Sequence, residues 1–268
     1  MRAAKFPVYS ALTLIMTTAL CIAVPFFTGS ATRMDGDALS MPPSDAHFFG
    51  TDPLGRDLFN MICHGGRVSL YIGALATVLS TLIAIVYGAA AGLAGRAADA
   101  VLMRFIELLL SIPSILYVVT IQAIIGKPSA TSIALVIGLT SWMTVAKMVR
   151  TEALRVRRVE YVLSAQHMGG AFFYVARRHL LPNFFPAILF MVVSNIGGAI
   201  STEATLSFMG IGLPTTVVSW GSLMSLSQDA LLTNSWWIIL IPGIFLVSTL
   251  VCVANIGEYF RVINSLHE

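Results

Sequence analysis

Charge is scarce in this sequence. Only 11% of its 268 residues are Asp, Glu, Lys or Arg, against about 25% in an average soluble domain. A soluble fold of this length could not cover its surface with so few charges, so much of that surface has to face lipid. Cysteine is also scarce: Cys21, Cys63 and Cys252 lie far apart. That spacing excludes a thiolate metal cluster or a CxxC redox pair, and the three read as buried free thiols. There is no Walker-type glycine loop, which excludes nucleotide binding by this chain. No HExxH and no Ser/His/Asp set appears, so an intramembrane hydrolase would have neither nucleophile nor metal. Low-complexity tracts, a soluble domain and a convincing internal repeat are missing too, and the chain reads as one membrane domain.

What is present is apolar: 57% of residues, with a mean hydropathy of +0.84. A helix needs about 20 apolar residues to cross a bilayer. Six stretches meet or approach that length, at about Val8–Phe27, Ser69–Leu93, Val101–Ile125, Ala130–Val149, Phe184–Ser201 and Ser235–Ile256. The expected fold class is therefore an all-α polytopic bundle. The limits of the fifth span are open, because apolar sequence runs on past Glu203 to Met224. Pro113 and Pro242 fall inside spans and are expected to kink them unless neighbours satisfy the freed carbonyls. The first stretch follows Arg2 and Lys5 like a signal peptide, yet its apolar run exceeds the roughly 7–15 residues of a signal core, and it reads as a retained span. The chain divides into residues 1–29 (N-terminal end and first span), 30–68 (a segment outside the membrane) and 69–268 (the core, with a polar connection at 150–183).

Orientation follows from the basic residues. With six spans, one side collects Arg2, Lys5, Arg96, Arg104, Lys147, Arg150, Arg155, Arg157, Arg158, Arg177, Arg178 and Arg261. The other has Arg33, Arg56, Arg67 and Lys127. Twelve against four places both termini in the cytoplasm. Residues 30–68 then lie outside, carrying Asp35, Asp37, Asp45, Asp52 and Asp57, which a solvated loop or a docking surface would both explain.

The connection at 150–183 is too long for a turn and too polar to span. It has no proline between Arg155 and Phe173, and Gly169-Gly170 are natural helix stops. On a helical wheel Arg157, Glu160, Ser164 and His167 form one polar stripe, while Tyr161, Val162, Leu163, Ala165 and Met168 cover the rest. A short helix apolar over most of its circumference packs on more than one side. Two readings follow: a helix shared between this bundle and a cytoplasmic partner, or a helix lying on anionic lipid.

Leu163-Ser164-Ala165, three residues, Gly169, then His179 and Leu181-Pro182 resembles the EAA loop of ABC-importer permeases: Glu-Ala-Ala, three residues, Gly, nine residues, Ile, one residue, Leu-Pro. The spacing matches throughout; Leu163, Ser164 and His179 depart in identity. Phe49-Gly50-Thr51-Asp52-Pro53-Leu54-Gly55-Arg56-Asp57 and Gly66-Arg67-Val68-Ser69-Leu70 are similar to outer signatures of the peptide and nickel permeases, in their second-permease branch. Glu203-Ala-Thr-Leu-Ser-Phe-Met-Gly-Ile-Gly212 with Trp220-Gly221 resembles a further segment of that family. Asn255-Ile-Gly257-Glu258 departs more from the pattern at the end.

The resemblance implies a type I ABC permease fold pairing with a homologous second permease. It also implies two cytoplasmic ATPase subunits and an extracytoplasmic solute-binding protein, with membrane lipid around the bundle and no nucleic acid. ATP and Mg would be bound by the partner ATPases, and this chain would hold no cofactor. Glu160, Tyr161, Leu163, Ser164, Ala165, Gly169, His179 and Pro182 would form the ATPase-coupling loop. Thr51, Asp52, Gly55, Arg56 and Asp57 would form the outer signature. Glu203, Ser207, Met209 and Trp220 would lie by the translocation path, Glu203 lining it or capping a helix.

Glu107 stands one helical turn from Arg104 and reads as an ion pair. Twelve methionines and five histidines invite a metal-path reading through Met61, Cys63 and His64 with Met209 and Met224, although methionine is ordinary packing material. No convergent polar cluster is visible inside the spans, so substrate choice is expected to be shared with the partners. The implied substrate is nickel, a nickel chelate or small peptides, with the compact chain leaning toward nickel. A secondary transporter would need coupling carboxylates and usually inverted repeats; a non-transport scaffold would have no use for a coupling loop.

Overall fold

The computed structural model describes residues 6–156, 181–214, 216–230 and 235–266. These residues form eight helices, with an isolated bridge between Thr51 and Asp57: α1 (Val8–Phe27), α2 (Leu58–Leu93), α3 (Arg96–Leu110), α4 (Ser114–Ile125), α5 (Ala130–Val156), α6 (Leu181–Phe208), α7 (Trp220–Ala230) and α8 (Trp236–Leu266). The class is all-α, as expected. Five helices are long and apolar enough to cross a membrane, and the α3–α4 pair makes a sixth span if counted as one.

Boundaries move for local reasons. The second span begins at Leu58, not Ser69, because the Asp57 side chain accepts from the Asn60 N–H and caps the helix there. Residues 58–68 of the outer segment are thus helical. At 36 residues α2 runs about 54 Å, well beyond the ~30 Å hydrocarbon core, so its ends stand clear of the core. The third span is two helices bent by 81° across Ser111–Pro113, since Pro113 offers no N–H and crowds the preceding turn. Pro242, in contrast, lies within the continuous α8. The fourth span carries on to Val156, taking in Arg150–Arg155, and the fifth covers Leu181–Phe208.

α2 and α5 make the most extensive helix contact, and small residues allow it. A methyl added at Gly88 would sit 2.5 Å from the Ala146 carbonyl oxygen, and one at Gly92 would sit 2.5 Å from the Ala153 Cβ. The pair is locally parallel, because Gly138 faces Ala76 and Gly88 faces Ala146. Around this seam pack Ala84, Trp142, Val145 and Val149. A second core gathers Leu58, Ile62, Ile200, Trp220 and Ile238. The outer faces of α1, α2 and α8 expose Tyr9, Ile15, Phe26, Val78, Val86 and Val247, the surface a bilayer covers.

Candidate functional site

Three constructions carry the sequence-predicted residues. The first is the knot ahead of α2. Thr51 Oγ1 donates to the Ala38 carbonyl at 2.5 Å and accepts from the Met41 N–H at 2.8 Å. Asp52 Oδ1 accepts from the Leu54 and Arg56 N–H groups at 2.9 and 2.8 Å, and its Oδ2 takes Arg56 Nε at 2.6 Å. Gly55 sits at φ +74°, and a Cβ there would collide with the Asp35 carbonyl oxygen, so only glycine closes this turn. Asp57 caps α2 with one oxygen and meets His47 Nδ1 at 2.9 Å with the other. Trp237 Nε1 donates to the Thr51 carbonyl at 3.0 Å, tying the knot to the start of α8. Asp52 is therefore wholly buried and offers nothing to a docking partner; Asp35, Asp37 and Asp45 are the exposed aspartates.

The second construction centres on Glu203, fully buried where α2, α6 and α7 meet. Its carboxylate accepts from Ser69 Oγ at 3.0 Å, Ser207 Oγ at 2.8 Å and Ser219 Oγ at 2.7 Å. Ser219 precedes α7 and exchanges bonds with Ser222, so Glu203 holds the residue that starts that helix. Trp220 is buried beside it, donating its N–H to Ser69 Oγ at 3.1 Å and its indole Nε1 to the Ile62 carbonyl at 3.1 Å. Met209 stands apart on the surface. The neighbourhood of Glu203, Ser207 and Trp220 was legible in one segment; Ser69 was not, standing 134 positions away.

The third is a groove of about 460 Å³ at the α3–α4 break. Ser114 of α4, Thr140, Ser141 and Thr144 of α5, and Ser194 and Asn195 of α6 line it, with Met143 and Met191. These residues fall near the middle of α5 and α6, halfway through the bundle. Asn195 Nδ2 is anchored on Ser80 Oγ at 2.6 Å, and the Ser141 hydroxyl is buried with no partner among the described residues. No charged side chain lines the groove. This corrects the expectation that no polar cluster converges inside the spans: its members are spread over three helices, one or two to a turn.

Near the ends of the bundle, Arg104 NH1 meets Glu107 at 3.1 Å, the pair read from sequence. Unforeseen was the two-pronged bond of Arg150 to Asp99, at 2.5 and 2.6 Å, which ties α3 to α5 beside the basic connection. Glu160, Tyr161, Leu163, Ser164, Ala165, Gly169 and His179 lie outside the described residues, and Pro182 is in the first turn of α6. Met61 and Cys63 are buried in packing, and no metal-binding group of three or more His, Cys, Asp or Glu forms among the described residues.

Unwound backbone at membrane depth persists only where protein buries it or where it lines a water-filled cavity, and broken spans beside such cavities are a build of membrane transporters. A bundle of apolar helices with that feature at mid-depth has a build that membrane transporters use. Over residues 82–261 the chain matches the family described as binding-protein-dependent transport system inner membrane component, and it belongs to that family. It is 32% identical over 246 residues to the dipeptide transport system permease protein DppC of Bacillus subtilis (strain 168), covering 91% of this chain and 77% of that one. To the oligopeptide transport system permease protein OppC of the same organism it is 31% identical over 264 residues, covering 97% and 85%. A putative peptide permease protein of Brucella suis biovar 1 (strain 1330) is 36% identical over 225 residues, covering 84% and 74%. The chain is thus a non-catalytic, multi-pass permease component of an ABC importer, a system that also comprises ATPase subunits and a substrate-binding protein.

Proposed function

We propose that this chain forms half of the pore of an ABC importer for small peptides, paired with a homologous second permease, with its termini in the cytoplasm. The groove at the α3–α4 break carries the reading. It is uncharged, hydroxyl-lined and set at mid-depth, so it offers a peptide backbone hydrogen bonds weak enough to release, which passage requires. The coupling connection at about 150–183 leads from α5 into α6, and both helices line the groove. A push on Glu160, Tyr161, Ser164 or Gly169 by an ATPase subunit then reaches the groove along two stiff helices, about 20 Å each at 1.5 Å per residue. The break at Pro113 supplies the third wall with a hinge. Alternating access follows if ATP-driven closure of the ATPases biases the bundle between two such arrangements. Glu203, Ser207 and Trp220 hold α7 at the outer end, and Thr51, Asp52, Gly55, Arg56 and Asp57 hold the outer segment against α2 and α8. Peptides are favoured over nickel by the names of the relatives.

Uptake of a radiolabelled dipeptide, in a strain whose own copy is deleted, tests this. Thr144→Trp fills the groove and is expected to abolish uptake while the ATPase subunits still co-purify. Gly169→Val is expected to lose both uptake and ATPase retention at normal membrane levels. Undiminished uptake by Thr144→Trp would remove the path from this groove. Normal coupling in Gly169→Val would remove the coupling role from the loop.

A further inference from the structure

A second pocket, of about 470 Å³, opens where the segment after α1 passes over α2. Ser30, Thr32, His64, Arg67, Tyr71 and Thr216 supply its polar lining, and no carboxylate is among the residues that line it. Arg67 is exposed, and it makes no ion pair among the described residues. Its guanidinium lies over the Phe26 ring, 5.4 Å from the centroid. His64 Nε2 is buried and has no hydrogen-bond partner among the described residues. Ser30 and Thr32 share a hydroxyl bond at 2.8 Å. The His64 ring gives its other nitrogen's N–H to the Gly29 carbonyl, so Nε2 faces the cavity wall as an acceptor. The donors are the Arg67 guanidinium and the hydroxyls of Ser30, Thr32 and Thr216, a set that suits an oxyanion.

Depth identifies which oxyanion. Ser80 marks the level of the mid-depth groove, because it holds Asn195 there. Arg67 precedes it by 13 residues on the same helix, about 20 Å toward the α2 N-terminus at 1.5 Å per residue. The hydrocarbon core ends about 15 Å from its centre, so Arg67 stands at the level of lipid headgroups. Tyr71, one turn deeper and exposed, falls at the interface that tyrosine prefers. The pocket mouth also borders α1, whose exposed Ile22, Phe26 and Phe27 face acyl chains.

We infer that this pocket binds the phosphate of a phospholipid headgroup, in the leaflet on the side of residues 28–57. Arg67 holds the phosphate oxygens, Ser30, Thr32 and Thr216 bound the headgroup, and the acyl chains lie along α1. A lipid seated there braces α1 against α2 without entering the substrate path. The inference rests on the chain being membrane-embedded and not on what it transports.

Native mass spectrometry of the detergent-purified transporter, titrated with phosphatidylglycerol, tests it. The wild-type complex is expected to retain lipid at a saturable site, Arg67→Gln to weaken retention about tenfold, and Arg67→Lys to restore part of it. Arg33→Gln, outside the pocket, should match wild type. Inorganic phosphate at millimolar concentration should not displace the lipid, because it lacks the acyl contacts. Equal retention by wild type and Arg67→Gln overturns the assignment. Displacement by inorganic phosphate overturns the lipid reading in favour of a free-anion site. Intact lipid retention with weakened docking of the substrate-binding protein transfers the pocket to a protein carboxylate, and also overturns it.

Discussion

At the scale of single residues, Glu203 has the most to lose by substitution. Its carboxylate satisfies hydroxyls from α2, α6 and the start of α7 in a site without water access. Glu203→Ala strands three donors and opens a cavity, and a buried polar group left unsatisfied costs about 1–3 kcal/mol. Glu203→Gln keeps a carbonyl acceptor, and serine hydroxyls rotate to accept from its amide. The expected result in thermal unfolding of the purified complex is a loss of several degrees for Ala and a much smaller loss for Gln. Equal melting of Glu203→Ala and wild type would show that the node contributes nothing. The nearness of Glu203 to Ser207 was legible from its segment, but its bonds to Ser69 and Ser219 were not, since folding alone brings those two together. Asp52 shows the same limit. Its place beside Arg56 in the outer signature was readable, whereas the anchoring of the adjacent Thr51 on Ala38, Met41 and Trp237 was not, because the motif does not contain them.

At the scale of helices, the interruption of the third span was readable, because Pro113 forbids one hydrogen bond and displaces the next. The groove beside it was not. Serine and threonine are common in membrane helices and bond their own backbone, as Thr140 does to the Val136 carbonyl at 2.9 Å, so hydroxyls scattered over three spans carry no periodic signal. The α2–α5 seam had a visible mark in Gly88 and Gly92, four apart, the small-residue spacing that lets helices approach closely in lipid. Gly88→Val drives its side chain into the Ala146 carbonyl, which is backbone and cannot step aside. Overpacking of this kind costs about 1–3 kcal/mol, and a lower melting temperature and reduced membrane yield are expected. Gly95→Val is the control, because nothing lies within 4 Å of an added Cβ there. If both variants melt together, the close approach of α2 and α5 is not stabilising.

At the scale of the whole molecule, the direction in which the bundle sits decides whether its parts can work as an importer. Twelve basic residues on one side against four on the other favour a cytoplasmic position for the 150–183 connection, because basic loops are retained there during insertion. The 30–57 segment, with exposed Asp35, Asp37 and Asp45, then faces the side from which a binding protein delivers substrate. The three native cysteines are all buried, so a background carrying one introduced cysteine labels cleanly. Asp45→Cys lies on the exposed outer segment and Ala97→Cys on the exposed start of α3, two positions that a bilayer should separate. In intact spheroplasts a membrane-impermeant maleimide is expected to label Asp45→Cys and to spare Ala97→Cys until the membrane is permeabilised. The reverse pattern would put the basic connection out of reach of any ATPase subunit. The two helices that flank it could not then carry an ATP-driven movement to the groove, and the importer mechanism would have no input.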